Sequence, residues 1–350
     1  MIAASKPTQR SLDAKLLVVD ANGRIIHSAR SAFTTFLRRR DLVIANDAAT
    51  LPASLHGTHL PTGRPIEMRL AGRRSLDVAD SEFSAIIFGE GDYHARTEDR
   101  PSPPPMAPGD RLALGPLSAA IIKLLNHPRM VCVGFEGSPE AVWAGLARHG
   151  RPIQYAYVPE PLALWDVWTP IAGPPVAFEA PSAGFTLDWQ VLAQLRARGV
   201  IFATVTHTAG VSSTGDAELD LQLTLDEPYR ISEATAAAIR RTRAEGGRII
   251  AVGTTVVRAL ESACHHRDIE PGEGLATGRI GPTTRLQIVD AILSGTHESG
   301  STHYQLLRAF ADDATLARVT SELDSHGYRT HEFGDSVLLQ HMKRGPELPG

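Results

Sequence analysis

Cysteine is scarce. Two occur in 350 residues, Cys132 and Cys264. That excludes a disulfide framework and points to a reducing compartment. Long apolar runs are absent as well, with no stretch near the ~20 residues that a membrane span needs. Residues 1–10 are polar and lack the apolar core of a secretory signal. A basic surplus is missing too. The 35 basic residues face 39 acidic ones, for a net charge of −4, unlike chains coated for nucleic acid. A cytoplasmic protein without a membrane partner is expected. No CxxC, HExxH, GxGxxG, P-loop, GxSxG or kinase signature occurs. No metal is therefore expected, and no dinucleotide or NTP site.

What is present is length and apolar content. A chain of 350 residues with 43% hydrophobic residues predicts two domains with a sizeable core. Residues 16–19 read as a strand, Asn22-Gly23 as a hairpin turn and 24–27 as the return strand. Residues 32–37 read as a short helix. Residues 41–45 read as a buried strand that delivers Asn46 and Asp47 to its carboxyl end. From 58 to 149 the character changes to short alternating strands, such as 66–70 and 84–88, broken by the Pro-rich stretch 101–108. This predicts a small all-β domain inserted into a main α/β domain made of 1–57 and 150–350. Beyond 150, strands alternate with helices. Residues 188–198 end at Gly199, 200–205 run into His207, and Ser232 caps a helix to Arg243. The alternation predicts a mostly parallel sheet covered on both faces. Sites in such sheets lie at the carboxyl ends of the strands.

Three segments reach that position. In 247–255, a β-branched strand is followed by Gly253, which permits a sharp turn, and by Thr254 and Thr255 at a helix start. A helix start offers unpaired N–H donors and the positive end of a dipole, which suits an anionic or polyhydroxylated ligand. An ordinary capped turn is the plain alternative. Asn46-Asp47 either orients a hydroxyl, acts as a base, or forms an Asx turn. His207 either transfers protons or is structural. Pro181, Ser182, Ala183 and Gly184 make a tight loop that lets backbone approach a ligand. Residues 297–303 form a polar loop with Ser301 or Thr302 as N-cap. Its His297 and His303, like His265-His266 and His326 with His331, have no recognised metal spacing. Asp335, in a Gly-Asp turn, either closes the site or caps the turn.

Taken in order, these segments resemble the S-adenosylmethionine:tRNA ribosyltransferase-isomerase (QueA) family of queuosine biosynthesis. Residues 41–57 are similar to its GDLLVxNDTxVxPARLxG stretch, and 180–185 to APTAGLHF. Residues 206–210 stand where the family has LHVGxGTF, and 226–229 resemble MHxExY. Residues 246–261 resemble GGRVxAVGTTxxRxLE closely. His297 with Ser301-Thr302 resembles FHLPxST, and 328–338 resemble YRFxSYGDAML. The resemblance spans nearly the whole chain and identifies it as a divergent member. Ser54 replaces the Arg of PARL, Thr186 follows Gly184-Phe185 where the family has His, and the Lys of HLPKST is missing beside Glu298. Trp165-Asp166-Val167-Trp168 stands in the YQTVYA region.

The resemblance implies an α/β domain with an inserted barrel, and S-adenosylmethionine as a ribosyl donor. A base would remove a C5′ proton beside the sulfonium. The ribosyl unit would pass to an amine on a deazaguanine base of tRNA. Adenine and methionine would leave, and an epoxycyclopentanediol would remain. Gly253, Thr254, Thr255 and Arg258 are then expected to hold the methionine carboxylate or ribose, and Asn46 and Asp47 the sugar or base. His207 is expected to transfer the proton, with Glu227 or Asp47 as other candidates. Pro181 to Gly184, Thr208, His297, Ser301, Thr302 and Asp335 complete the expected donor site. The lost basic positions predict weak tRNA binding. A paralogue that processes the sulfonium nucleoside without tRNA, and a silent binding protein, are the alternatives.

Overall fold

The strands Leu42–Asn46, Ile201–His207, Ile249–Val252 and Ala291–Gly295 lie parallel and adjacent at the centre of one sheet. The computed structural model that shows this describes residues 1–9, 11–212, 214–223 and 225–342. Alternate side chains of these strands enter two different cores. Leu42, Ile44, Ile249 and Ala251 face one core, and Val43, Ala45, Ile250 and Val252 the other. Both faces are covered, so the strands are apolar throughout instead of alternating. The helices Glu233–Ala244, Thr254–Ser262 and Asp313–Ser325 supply the first core. The helix Trp189–Ala197 and the 3-10 turn Arg30–Phe36 supply the second.

The full sheet has nine strands and is parallel only in part. Glu227–Ile231 and Gly272–Ala276 extend one side antiparallel. On the other side Ser336–Gln340 pairs antiparallel with Ala291–Gly295 and parallel with Lys15–Val19, whose hairpin partner Ile25–Ala29 forms the edge. The Asn22-Gly23 turn holds as expected, with Gly23 at φ +74°. Asp41, buried, sets the register: its carboxylate accepts from Arg248 Nη2 at 2.6 Å and from the Arg248 N–H at 3.0 Å.

The inserted unit is a closed six-stranded antiparallel barrel, with strands from Ser54–His59 through Met130–Phe135. Closure removes free strand edges. The helix Pro139–His149 packs Val142 and Leu146 into the barrel's core. Among the described residues, no helix is long and apolar enough to cross a membrane.

Candidate active site

A cavity of about 670 Å³ opens at the carboxyl edge of the parallel strands, where Arg96, Thr97 and Glu98 from a barrel loop also reach it. That volume suits a nucleoside-sized ligand.

The helix Thr254–Ser262 starts at this cavity. Gly253 turns with φ +94°, and its N–H donates to the Leu293 carbonyl at 2.8 Å. The four other helices of nine or more residues in the described chain each start with a side-chain cap, from Ser138, Asp188, Ser232 and Asp312. This one has none. Thr254 and Thr255 line the cavity, and the Thr255 hydroxyl is buried without a partner. Pro181, Ser182 and Ala183 line it beside them; a Cβ on Gly253 would stand 3.6 Å from the Ala183 methyl.

Glu227 arrives from an antiparallel strand. His207 pairs with Tyr229 across the register, so the start of Glu227–Ile231 lies at the carboxyl end of Ile201–His207. The buried Glu227 carboxylate lines the cavity. Its Oε1 accepts from the Gly210 N–H at 2.5 Å, and its Oε2 lies 2.9 Å from Arg258 Nε. Arg258 donates its other nitrogens to the carbonyls of Gly278 (2.9 Å), Ala276 (3.0 Å) and Leu225 (3.3 Å). Arg258 also lines the cavity, and its Nε meets Glu227 as an ion pair without a hydrogen bond.

His207 does not line the cavity, contrary to expectation; it sits fully buried behind Glu227. Its Nδ1 accepts from the Ala209 N–H at 3.1 Å, which assigns the proton of the neutral ring to Nε2. That Nε2 has no hydrogen bond and faces Glu227 Oε2 at 3.6 Å. Burial pushes the His207 pKa down to about 4, although the Glu227 charge opposes this.

The loop after Ala291–Gly295 closes another side. Ser301 caps the helix Thr302–Leu307, and the Thr302 hydroxyl donates to the Ser212 carbonyl at 3.0 Å. His297, Glu298, Ser301 and Thr302 line the cavity. His297 stacks on His303 at 4.6 Å and meets the Ser294 hydroxyl at 2.9 Å. Burial holds His297 well below the usual imidazole range and brings His303 down to about 4. Both rings are neutral at pH 7.

Five other expected residues lie outside the lining. Asn46 is buried and clasps the next strand: its Oδ1 accepts from the His207 N–H at 3.0 Å and its Nδ2 donates to the His207 carbonyl at 2.9 Å. Asp47 is consumed by the Thr204 and Thr206 hydroxyls, at 2.8 and 2.7 Å. Thr208 is fully buried. Gly184 packs on Thr169, 3.0 Å from where a Cβ would stand. Asp335 staples the sheet margin, accepting from the N–H groups of Lys15 and Arg329, both at 2.8 Å. Ser54, in place of the family's Arg, is buried and donates to Glu67 at 2.8 Å. Glu67 is held there near pKa 2 by Arg69 and Arg100, against the opposing cost of its burial.

The model of a family described as queuosine biosynthesis protein matches residues 1–339 of this chain. The chain belongs to that family. It is an enzyme of the transferase-isomerase kind. A protein of Sorangium cellulosum named S-adenosylmethionine:tRNA ribosyltransferase-isomerase is 33% identical, with 99% of this chain and 96% of its own covered. One of the same name from Thiobacillus denitrificans is 31% identical, covering 97% and 94%. The crystal structure of S-adenosylmethionine tRNA ribosyltransferase from Thermotoga maritima has the same fold, with TM-score 0.51, 22% identity and 96% of each chain covered.

This family member also carries cavity residues that were not among those expected to form the donor site. Tyr155, Tyr157, Glu179, His331 and Glu332 line one wall. A signal existed: Glu179 directly precedes the loop 180–185, and His331 and Glu332 directly precede Phe333-Gly334-Asp335. Among the described residues, the one three-residue group that could hold a metal is His27, Glu322 and His326, and it lies outside the cavity.

Proposed function

We propose that this chain takes S-adenosylmethionine into the cavity and transfers its ribosyl moiety with isomerisation to tRNA, as its relatives are named for doing, with an amine on a deazaguanine base as the acceptor. One observation carries the reading. The uncapped helix start at Thr254 and Thr255 and the Glu227 carboxylate face the same cavity. The first suits the donor's carboxylate or ribose hydroxyls. The second stands ready for a proton made acidic by the neighbouring sulfonium. Glu227 would take the C5′ proton. The electron pair left at C5′, stabilised by the adjacent positive sulfur, would close onto C1′ as adenine and the ring oxygen leave that carbon; the acceptor amine would bond to C1′ with loss of a proton, and the freed oxygen would displace methionine from C5′ as the neutral thioether, closing the epoxide. Adenine and methionine would leave. His207 would act through Glu227, its Nε2–H facing the carboxylate from behind at 3.6 Å. Pro181, Ser182, Ala183, Ser301 and Thr302 would enclose the donor.

Incubating the protein with S-adenosylmethionine, with and without tRNA bearing the amine precursor, and weighing the products tests this. A tRNA gaining the ribosyl unit, with adenine and methionine released, is expected. Release of fragments without tRNA would favour a small-molecule paralogue. Binding without products would favour a silent binding protein.

A further inference from the structure

The cavity wall opposite in character to the helix start is acidic and aromatic. Tyr155 and Tyr157 stack with ring centroids 5.9 Å apart, and His331 stacks on Tyr157 at 4.0 Å and 14°. The Tyr155 hydroxyl donates to Glu179 and the Tyr157 hydroxyl to Glu332. Glu179 also accepts from the Ser212 N–H at 3.3 Å and hydroxyl at 3.2 Å. No arginine or lysine pairs with either carboxylate among the described residues. Arg69, which lies 5.5 Å from the Tyr155 centroid, is bound to Glu67 at 2.7 Å.

Two carboxylates without a counter-cation, set beside a flat aromatic ladder in an open cavity, make a receptor of definite chemistry. Aromatic faces attract cations, and carboxylates bind ammonium groups through charge-assisted hydrogen bonds. We propose that Glu179 and Glu332, with the Tyr155–Tyr157–His331 stack, bind an alkylammonium group of a substrate. The partial burial that pushes Glu179 up to about 7, with Glu332 beside it, is what an incoming cation would relieve. The inference rests on the transferase reading for which substrate carries the group. Either the donor's α-ammonium or the acceptor's amine has the required chemistry.

The test compares the wild-type protein with Glu179→Gln, Glu332→Gln and the double variant. Each Gln keeps a carbonyl for the tyrosine hydroxyl, so the single variants serve as controls for folding. Titration calorimetry uses S-adenosylmethionine, its analogue without the α-amino group, the free amine-bearing deazaguanine base, and benzylammonium against neutral benzyl alcohol. If the donor supplies the cation, the double variant loses about tenfold or more in S-adenosylmethionine affinity and nothing for the deaminated analogue. If the acceptor supplies it, only the deazaguanine base weakens to that extent. Changes under about twofold for both substrates overturn the proposal. A wild type that binds neither substrate removes the transferase reading instead. The inference then stands only if benzylammonium binds better than benzyl alcohol and the double variant abolishes that preference; otherwise it falls.

Discussion

Replacing Glu227 by Gln removes one charge from a buried pair while nearly keeping its shape. Glu227 Oε2 and Arg258 Nε are 2.9 Å apart. At an effective dielectric of about 20 their attraction is about 6 kcal/mol before desolvation is subtracted. Losing one partner of such a pair typically costs about 3–5 kcal/mol, because the other charge stays buried. Arg258 keeps its carbonyl partners at Gly278, Ala276 and Leu225, which lessens the loss. The Gln amide cannot accept from both Arg258 and the Gly210 N–H with one oxygen, which adds to it. The expected destabilisation is about 3 kcal/mol. Urea unfolding should show a lower midpoint at unchanged slope. The double variant Glu227→Leu with Arg258→Met should recover most of the loss, since neither charge is then buried alone. A cost under about 1 kcal/mol for Glu227→Gln, or a double variant as unstable as the two single changes added, would refute the reasoning.

Changing Thr254 and Thr255 together to Val should weaken S-adenosylmethionine binding tenfold to several hundredfold, as a hydrogen bond to a charged group is worth roughly 1.5–3 kcal/mol; unaltered calorimetric affinity would remove the helix start from the donor site. His207→Ala should lower kcat by about 10²-fold while KM for the donor stays within a few-fold, and should cost about 1–3 kcal/mol by leaving the Ala209 N–H unsatisfied. An equal change in KM would contradict a role exerted through Glu227. His207 and His303 hold pKa values of about 4 in the fold against a usual 6.5, so the unfolded chain binds more protons and stability falls as pH drops through that window. Glu179, raised to about 7 from 4.5, acts oppositely, because the fold keeps a proton that the unfolded chain has released and stability falls as pH rises. Glu179→Gln should therefore steepen the rise of the thermal midpoint between pH 4 and 6.5, and an identical profile in wild type and variant would disprove the offset. Affinity for tRNA should be weak at physiological salt and decline steeply with more, given the net charge of −4; submicromolar binding by anisotropy would show that this acidic balance does not govern docking.

Local chemistry made several features legible in the chain alone. Asn22-Gly23 specified a hairpin because both residues accept the backbone that a tight turn needs. Gly253 specified the strand-to-helix turn for the same reason. Unbroken apolar runs such as 42–45 and 249–252 marked buried central strands, since only strands covered on both faces dispense with alternation. The short alternating strands between 58 and 149 announced a small all-β insert, and the family resemblance implied that it is a barrel. The motifs gave the family, through residue types at fixed spacing.

Tertiary structure decided which of the motif residues meet. Asp47 and His207 both follow apolar strands, and sequence offers both as bases, with His207 first. Only the packing shows Asp47 spent on Thr204 and Thr206, and His207 behind Glu227. Glu227 reaches the cavity because its strand runs antiparallel to Ile201–His207, a direction that residue patterning does not encode. Ser336–Gln340 enters the sheet between strands 291–295 and 15–19, a pairing across more than 300 residues on one side that no local signal specifies. The Tyr155–Tyr157–Glu179–Glu332 wall joins three distant segments. Short-range propensities act through a few bonds along the chain, whereas a cavity is made where far-separated backbones are brought together by burial of the cores beneath them.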